Sequence, residues 1–194
     1  MKRAFDISVA AVGLFILAPL LGLIALVIRA TSPGPVFYGS TRIGLGGKPF
    51  TMLKFRTMVV GADRLGPLIT AGNDPRITPI GRILRRTKLD ELPTLWNVLK
   101  GDMSIVGPRP ENPKSAALYN ATQRSLWQVR PGITSLATLK YRHEETLLAT
   151  KPDLESAYFQ IMQDKLALEL AYMERQSFWG DMRIILRTLV EVFR

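Results

Sequence analysis

Apolar positions crowd the N-terminus. Residues Ile7 to Ile28 (ISVAAVGLFILAPLLGLIALVI) run for 22 residues without a charge, roughly 33 Å as a straight helix and enough to cross a bilayer core. No face of the segment is polar, so a buried helix of a soluble core is a poor account of it. A secretory signal would have a shorter apolar stretch and then a small-residue cleavage site. Here the Leu/Ile/Val run continues to Ile28 and meets Arg29, and the segment is expected to insert in a membrane and stay there. Pro19 lies near the middle, with Gly13 and Gly22 around it. Proline removes a backbone donor and crowds the preceding turn, which predicts a bend at Ala18-Pro19. Lys2 and Arg3 precede the run while Arg29, Arg42 and Lys48 follow it, so the positive-inside rule gives no orientation. A kinked transmembrane helix and a hairpin that leaves on the side it entered both fit these features.

The remaining pattern is that of a domain lying against one face of the membrane. Thr31-Ser-Pro-Gly-Pro35 is a turn cluster. Val36 to Tyr38 and Phe50 to Phe55 are β-prone runs separated by Gly44-Leu-Gly-Gly-Lys-Pro49, which predicts a hairpin or two edge strands. Ile80 to Lys88 reads as a short basic helix. A second helix is expected after Pro93, with Leu95, Trp96 and Leu99 as its apolar face and Gly101 as its end. Asp90 and Glu91 then sit just before a helix N-terminus, and Gly107 to Pro110 forms a rigid loop. Leu154 to Tyr172 has the spacing of an amphipathic helix. From Met182 the apolar residues Met182, Ile185, Leu186, Leu189, Val190 and Phe193 share a face, flanked by Arg183, Arg187 and Arg194. That is the pattern of an interfacial membrane helix, or of a packed C-terminal helix with solvated arginines. The fold class predicted is α+β and mainly helical, divided into a membrane segment, residues 1–30, and a domain, residues 31–194.

Composition narrows the chemistry. Lys and Arg number 26 against 16 Asp and Glu, giving a net charge of +10 and a pI near 10.2. An excess of this size calls for a polyanionic partner: nucleic acid, anionic lipid head groups or a phosphorylated substrate. Aromatic residues are only 8% and the basic residues are spread along the chain, which speaks against nucleic acid. The absence of Cys excludes disulfides and thiolate chemistry, and a single His, His143, leaves no material for a Ser-His-Asp apparatus or a zinc site.

The most informative stretch is Arg85-Arg-Thr-Lys-Leu-Asp-Glu-Leu-Pro93, followed by Gly101 to Pro110 (GDMSIVGPRP). An isolated Asp-Glu pair is usually a solvated helix start. Beside Arg85 and Arg109 it has a more specific use. Two adjacent carboxylates repel, so a compensating cation is expected, from an arginine or a divalent metal. Mg²⁺ binds through one or two carboxylates together with the oxygens of a phosphorylated substrate. A carboxylate can attack phosphorus to give an acyl phosphate, and arginine forks match phosphate bidentately.

The same stretches carry a resemblance. Lys2-Arg3 with Asp6, Pro35 to Tyr38, Arg42 to Gly44, Lys54-Phe-Arg-Thr-Met58, Asp74 to Thr87, Leu89-Asp-Glu-Leu-Pro93, Asn97 to Ser104, Val106-Gly-Pro-Arg-Pro110 and Val129 to Thr134 are similar, in this order, to the motifs of the bacterial sugar transferases. These are monotopic polyprenol-phosphate phosphoglycosyltransferases. The resemblance implies a phospho-sugar taken from a UDP-sugar and passed to undecaprenyl phosphate, with release of UMP, at the cytoplasmic face of the bacterial inner membrane. It implies that Asp90 is the nucleophile and that Glu91 helps to hold Mg²⁺. Arg85 and Arg109 match arginines that contact phosphates, and Lys54 and Arg142 match further basic positions. It also implies that residues 1–30 form a re-entrant helix-break-helix among the membrane lipids, broken at Ala18-Pro19. Two departures stand out: Ala18 replaces a common serine before the proline, and Ser135-Leu-Ala137 followed by Thr138 to His143 replaces a common Gly-Trp-Ala continuation. The second leaves the donor sugar open.

Overall fold

The computed structural model of the protein describes residues 1–66 and 74–192. Helix α1 (Lys2–Thr31) leads into strands β1 (Phe37–Ile43) and β2 (Pro49–Phe55), then α2 (Pro79–Thr87), α3 (Thr94–Lys100) and β3 (Ser104–Val106). Two single turns, α4 (Pro113–Ala116) and α5 (Ala121–Arg124), precede β4 (Gly132–Thr134). The chain ends in α6 (Leu136–Lys140), α7 (Glu144–Ala149), α8 (Leu154–Met173) and α9 (Phe178–Val192). The molecule is mainly helical, as expected, with the antiparallel β1-β2 hairpin in a register from Phe37 opposite Phe55 to Ile43 opposite Pro49. A second small sheet, β3 parallel to β4, was not expected from the sequence. Its strands are three residues long, too short for an alternating pattern to be read.

α1 is continuous. The sequence predicted a bend at Ala18-Pro19 and the resemblance implied a break there; the helical backbone runs through both residues, with Pro19 inside the helix, so the helix is not broken. A proline withdraws a single donor, and a helix in apolar surroundings retains its other backbone bonds because nothing else would satisfy them. Both ends of α1 are fastened to the same domain. At the start, Lys2 donates to the Val106 carbonyl and pairs with Asp181. Arg3 donates to the Val98 carbonyl at 2.7 Å and the Leu99 carbonyl at 3.1 Å, closing the C-terminus of α3 where a cation also suits the helix dipole. Buried Asp6 accepts from Ser104 Oγ at 2.8 Å and the Ile105 amide at 3.2 Å. Near its other end, Ile24 and Ile28 pack with Phe55 and Leu84. Between these anchorages the helix is bare: Phe15 is 84% and Ile16 67% exposed. Only 11% of its most apolar 18-residue window is buried. A surface of this kind belongs to a membrane-bound protein.

The central core is Ala10 of α1, Met52 of β2, Val98 of α3, Met103, Ile105, Val106 and Ile184 of α9. α3 ends at Gly101, whose φ of +102° lets its amide reach the Asn97 and Val98 carbonyls as only glycine does readily. Of the face expected on α3, Leu95 and Leu99 pack against the core, while Trp96 is 57% exposed. In α8, Ala157, Met162 and Leu166 are buried as expected, but so are Lys165 and Glu169. α9 starts four residues before the expected Met182. It packs Asp181 and Ile184 inward and leaves Trp179, Leu186, Leu189 and Val190 exposed. Phe193 and Arg194, assigned to the same helix from the sequence, lie outside the described residues.

Candidate active site

Asp90 and Glu91 lie in a 3₁₀ turn, Leu89–Glu91, between α2 and α3. Thr78 caps α2 by accepting from the Gly81 amide. Lys88 ends it in the left-handed conformation, φ 59°, with its amide bonded to the Leu84 and Arg85 carbonyls. This reversal carries the next residues inward, and Asp90 is 8% exposed. Asn97 holds the other side of the turn. Its Oδ1 accepts from the Leu53 amide at 2.9 Å and its Nδ2 donates to the Thr51 carbonyl at 2.7 Å, so α3 is fixed along β2. Lys54, the next residue of β2, thereby reaches Glu91, with Nζ 2.7 Å from Oε1.

Arg109 arrives by a third route. β3 runs beside β4 with Ser104 opposite Gly132 and Val106 opposite Thr134. A Cβ on Gly132 would lie 2.1 Å from the Gly107 nitrogen, so only glycine allows the backbones to cross so closely. The loop after this crossing presents Arg109, whose Nη2 is 2.7 Å from Glu91 Oε1 and whose Nη1 is 3.4 Å from Oε2.

The six side chains singled out in the sequence, Asp90, Glu91, Lys54, Arg85, Arg109 and Arg142, all line one cavity of about 420 Å³. Arg42, Lys88 and Lys165 line it as well, and sequence reasoning did not select them. A signal existed for Arg42 in the hairpin register: opposed residues share a face, and with Arg42 opposite Phe50, Arg42 and Lys54 fall on one side of β1-β2. Lys165 had no such signal, because it enters from the buried face of a helix whose pattern reads as apolar. His143 is exposed and stands apart from this lining. Asp102 accepts from Asn97 Nδ2 at 3.2 Å and pairs with Lys100, a turn-stabilising arrangement.

The two neighbouring carboxyls have opposite electrostatics. Burial, followed by the charge of Glu91, pushes Asp90 up to about 6, with Lys54, Lys88 and Arg85 pulling the other way. For Glu91, burial also pushes upward, but Arg109 and Lys54 outweigh it and hold the carboxyl well below its ordinary range. Glu169, on the buried face of α8, is pushed up by burial to about 7, against the pull of Ser135 and the Arg109 amide and charge. Among the described residues no group of three or more Asp, Glu, His or Cys side chains forms a metal cage. The carboxylates present fit the way Mg²⁺ binds, through one or two of them plus phosphate oxygens and water. Glu91 Oε2 has one long bond, to Arg109 at 3.4 Å, and would be open to such an ion.

These parts can bind a diphosphate by its charge and present a poised carboxylate to phosphorus. Leu189, on the exposed apolar side of α9, also lines the cavity.

Known proteins share this arrangement of sequence. A UDP-glucose:undecaprenyl-phosphate glucose-1-phosphate transferase of Caulobacter vibrioides is 40% identical over 97% of the chain and 68% of its own length. One of the same name in Escherichia coli is 38% identical over the whole chain but only 40% of its own length. A putative undecaprenyl-phosphate N-acetylgalactosaminyl 1-phosphate transferase of Bacillus subtilis is 48% identical over 58% of the chain and 63% of its own length. The model of one family, bacterial sugar transferase, matches residues 1–194 from end to end. With the match unbroken across helix α1, the carboxylate turn and the arginine loop, the chain belongs to the bacterial sugar transferase family.

Proposed function

We propose that the protein is a phosphoglycosyltransferase that moves a phospho-sugar from a UDP-sugar to undecaprenyl phosphate, the first membrane step of a bacterial glycan pathway. The Asp90 carboxylate attacks the phosphorus that bears the sugar. An acyl–phosphate bond forms, the bond to the second phosphate breaks, and UMP leaves with its electron pair. A phosphate oxygen of undecaprenyl phosphate then attacks the same phosphorus, giving undecaprenyl-diphosphate-sugar and returning Asp90 to its carboxylate. Lys54, Arg85, Arg109 and Arg142 hold the phosphates and offset the charge that gathers on their oxygens. Glu91 keeps Lys54 and Arg109 in place and, with the substrate's oxygens, would hold Mg²⁺. Such an ion supplies charge neutralisation at the diphosphate.

The observation that carries this reading is the buried Asp90 carboxyl, raised to about 6, in a cavity walled by cations and lined in part by Leu189 of α9. At neutral pH Asp90 is ionised and still more basic than an ordinary aspartate, as a carboxylate nucleophile should be. A covalent intermediate lets the nucleotide depart before the lipid acceptor takes up the same cations.

Residues 1–30 act in this reading as a re-entrant anchor, and residues 31–194 as the catalytic domain at the cytoplasmic face of the inner membrane. Support comes from α1, whose ends are tied to one domain while Phe15, Ile16, Ala18 and Pro19 in its middle are exposed. A helix held at both ends by one domain keeps both ends on one side of the bilayer. The reaction is tested with a panel of UDP-sugars and undecaprenyl phosphate. UMP release is expected from at least one sugar, with labelled phospho-sugar trapped on the protein when acceptor is omitted. Asp90→Asn should abolish both, and normal turnover by that variant would remove Asp90 from the chemistry. Excess EDTA should stop the reaction, and an undiminished rate would remove Mg²⁺.

A further inference from the structure

The segment 138–144 forms one wall of the Asp90 cavity. Thr138, Leu139, Tyr141 and Arg142 line it, and Glu144 follows at once. Glu144 is held in a particular way. Its Oε2 accepts from Lys165 Nζ at 2.6 Å. Its Oε1 is shielded from solvent and meets no hydrogen-bond donor among the described residues. Lys165 is itself 9% exposed and lies 5.8 Å from the centre of the Tyr141 ring, so the carboxylate is braced from behind.

A buried carboxylate oxygen that accepts nothing forfeits the hydration it had in the unfolded chain. A ligand that brings an O–H or N–H donor to that oxygen restores the bond. The other charged groups of the cavity are mostly cations suited to phosphate, and a phosphate would be repelled by Glu144. A neutral, hydroxyl-bearing part of the donor is the fitting partner. In a UDP-sugar the hexose is bonded directly to the phosphorus that Asp90 attacks, whereas the uracil lies beyond a second phosphate and a ribose. Glu144 lines the same cavity as Asp90 and as Arg109, the arginine that grips Glu91 beside Asp90. That position favours the hexose over the base.

We propose that Glu144, braced by Lys165, is a specificity-determining residue for the donor, its Oε1 accepting a hydrogen bond from one hydroxyl of the hexose. The inference rests on the transferase reading above. A site built to bond a substrate hydroxyl discriminates strongly against the analogue that lacks it, because its own polar group is then left buried and unpaired.

The test uses the full chain in bilayers containing undecaprenyl phosphate and the UDP-hexose it turns over fastest. Rates of UMP release are compared with those for the 2-, 3-, 4- and 6-deoxy analogues. The unaltered chain should lose about tenfold to a hundredfold in kcat/KM with one analogue. Glu144→Leu should lose a similar factor with the parent sugar and little more with that analogue, because the bond is already gone. Glu144→Leu leaves Lys165 buried without its partner, so the double variant Glu144→Leu/Lys165→Met, which removes both charges together, provides a second fold-preserving measurement. Inhibition by UMP should be unchanged in both.

An equal loss with the parent and every analogue overturns the inference. So does a loss that tracks weakened UMP inhibition, which would assign Glu144 to the uracil, or one repaired by added Mg²⁺, which would make it a metal ligand. Absence of UMP release from any UDP-sugar by the unaltered chain overturns the transferase reading itself, and the inference with it.

Discussion

At the residue scale the site turns on an asymmetry between neighbours. Glu91 takes the direct bonds of Lys54 and Arg109, while for Asp90 burial and the charge of Glu91 outweigh the pull of Lys54, Lys88 and Arg85. Its carboxyl is therefore raised, and the sign of the pH dependence follows. The nucleophile must be ionised, so kcat/KM should be flat near pH 8 and fall as pH drops through about 6. Lys54 lowers the Asp90 value, so Lys54→Met should move this acid limb to higher pH. Glu91 raises it, and Glu91→Gln should move the limb lower. The limb belongs to the coupled pair, not to one group alone, and an acid limb unmoved by either change would refute the electrostatic account. Asp90, Glu91, Arg85 and Arg109 were legible because they crowd into two short motifs. Arg42 was legible only through the hairpin register, and Lys165 was not, since nothing in a sequence joins a helix residue to a strand residue more than a hundred positions away.

At the element scale the amphipathic helices divide by what covers them. The apolar side of α9 was legible as spacing, but the helix has two sides in use. Asp181 and Ile184 face the core and Asp181 binds Lys2 and Tyr172, while Trp179, Leu186 and Val190 recur on the opposite side and remain exposed. Their apolar area is expected to lie in the membrane interface, at roughly 25 cal/mol for each Å² removed from water. Lipids brominated near the head group should quench tryptophan emission. Trp179→Phe should remove much of that quenching, and Leu186→Ser with Val190→Ser should reduce it. Quenching insensitive to all three changes would leave α9 in water. α8 shows the opposite case, an apparently ordinary amphipathic helix that delivers buried Lys165 to the cavity wall.

At the scale of the whole molecule the proposed topology rests on α1. Its residues Lys2, Arg3 and Asp6 bind the domain at one end, and Ile24 and Ile28 pack on it near the other. Separating these attachments across a bilayer would unpair buried Asp6 and uncover the Phe55–Leu84 cluster, each a cost of a few kcal/mol. The chain contains no Cys, so single cysteines at exposed Ala4 and Ala30 report position cleanly. In intact cells both Ala4→Cys and Ala30→Cys should be shielded from a membrane-impermeant maleimide, and both should react once the membrane is opened. Labelling of the first from outside would establish a spanning helix.

The sequence by itself determined the long apolar helix, the two β-prone runs, the helices on either side of Asp90-Glu91, and the crowding of those carboxylates among basic residues. Each is a local matter of apolar period, turn residues or adjacent charge. Tertiary structure alone decided that α1 continues through Pro19, that Glu91 and not Asp90 receives Lys54 and Arg109, and that Glu144 stands braced at the cavity wall. Those outcomes depend on which side chains meet across the fold and on how much water is left around them, and neither quantity is carried by neighbouring positions along the chain.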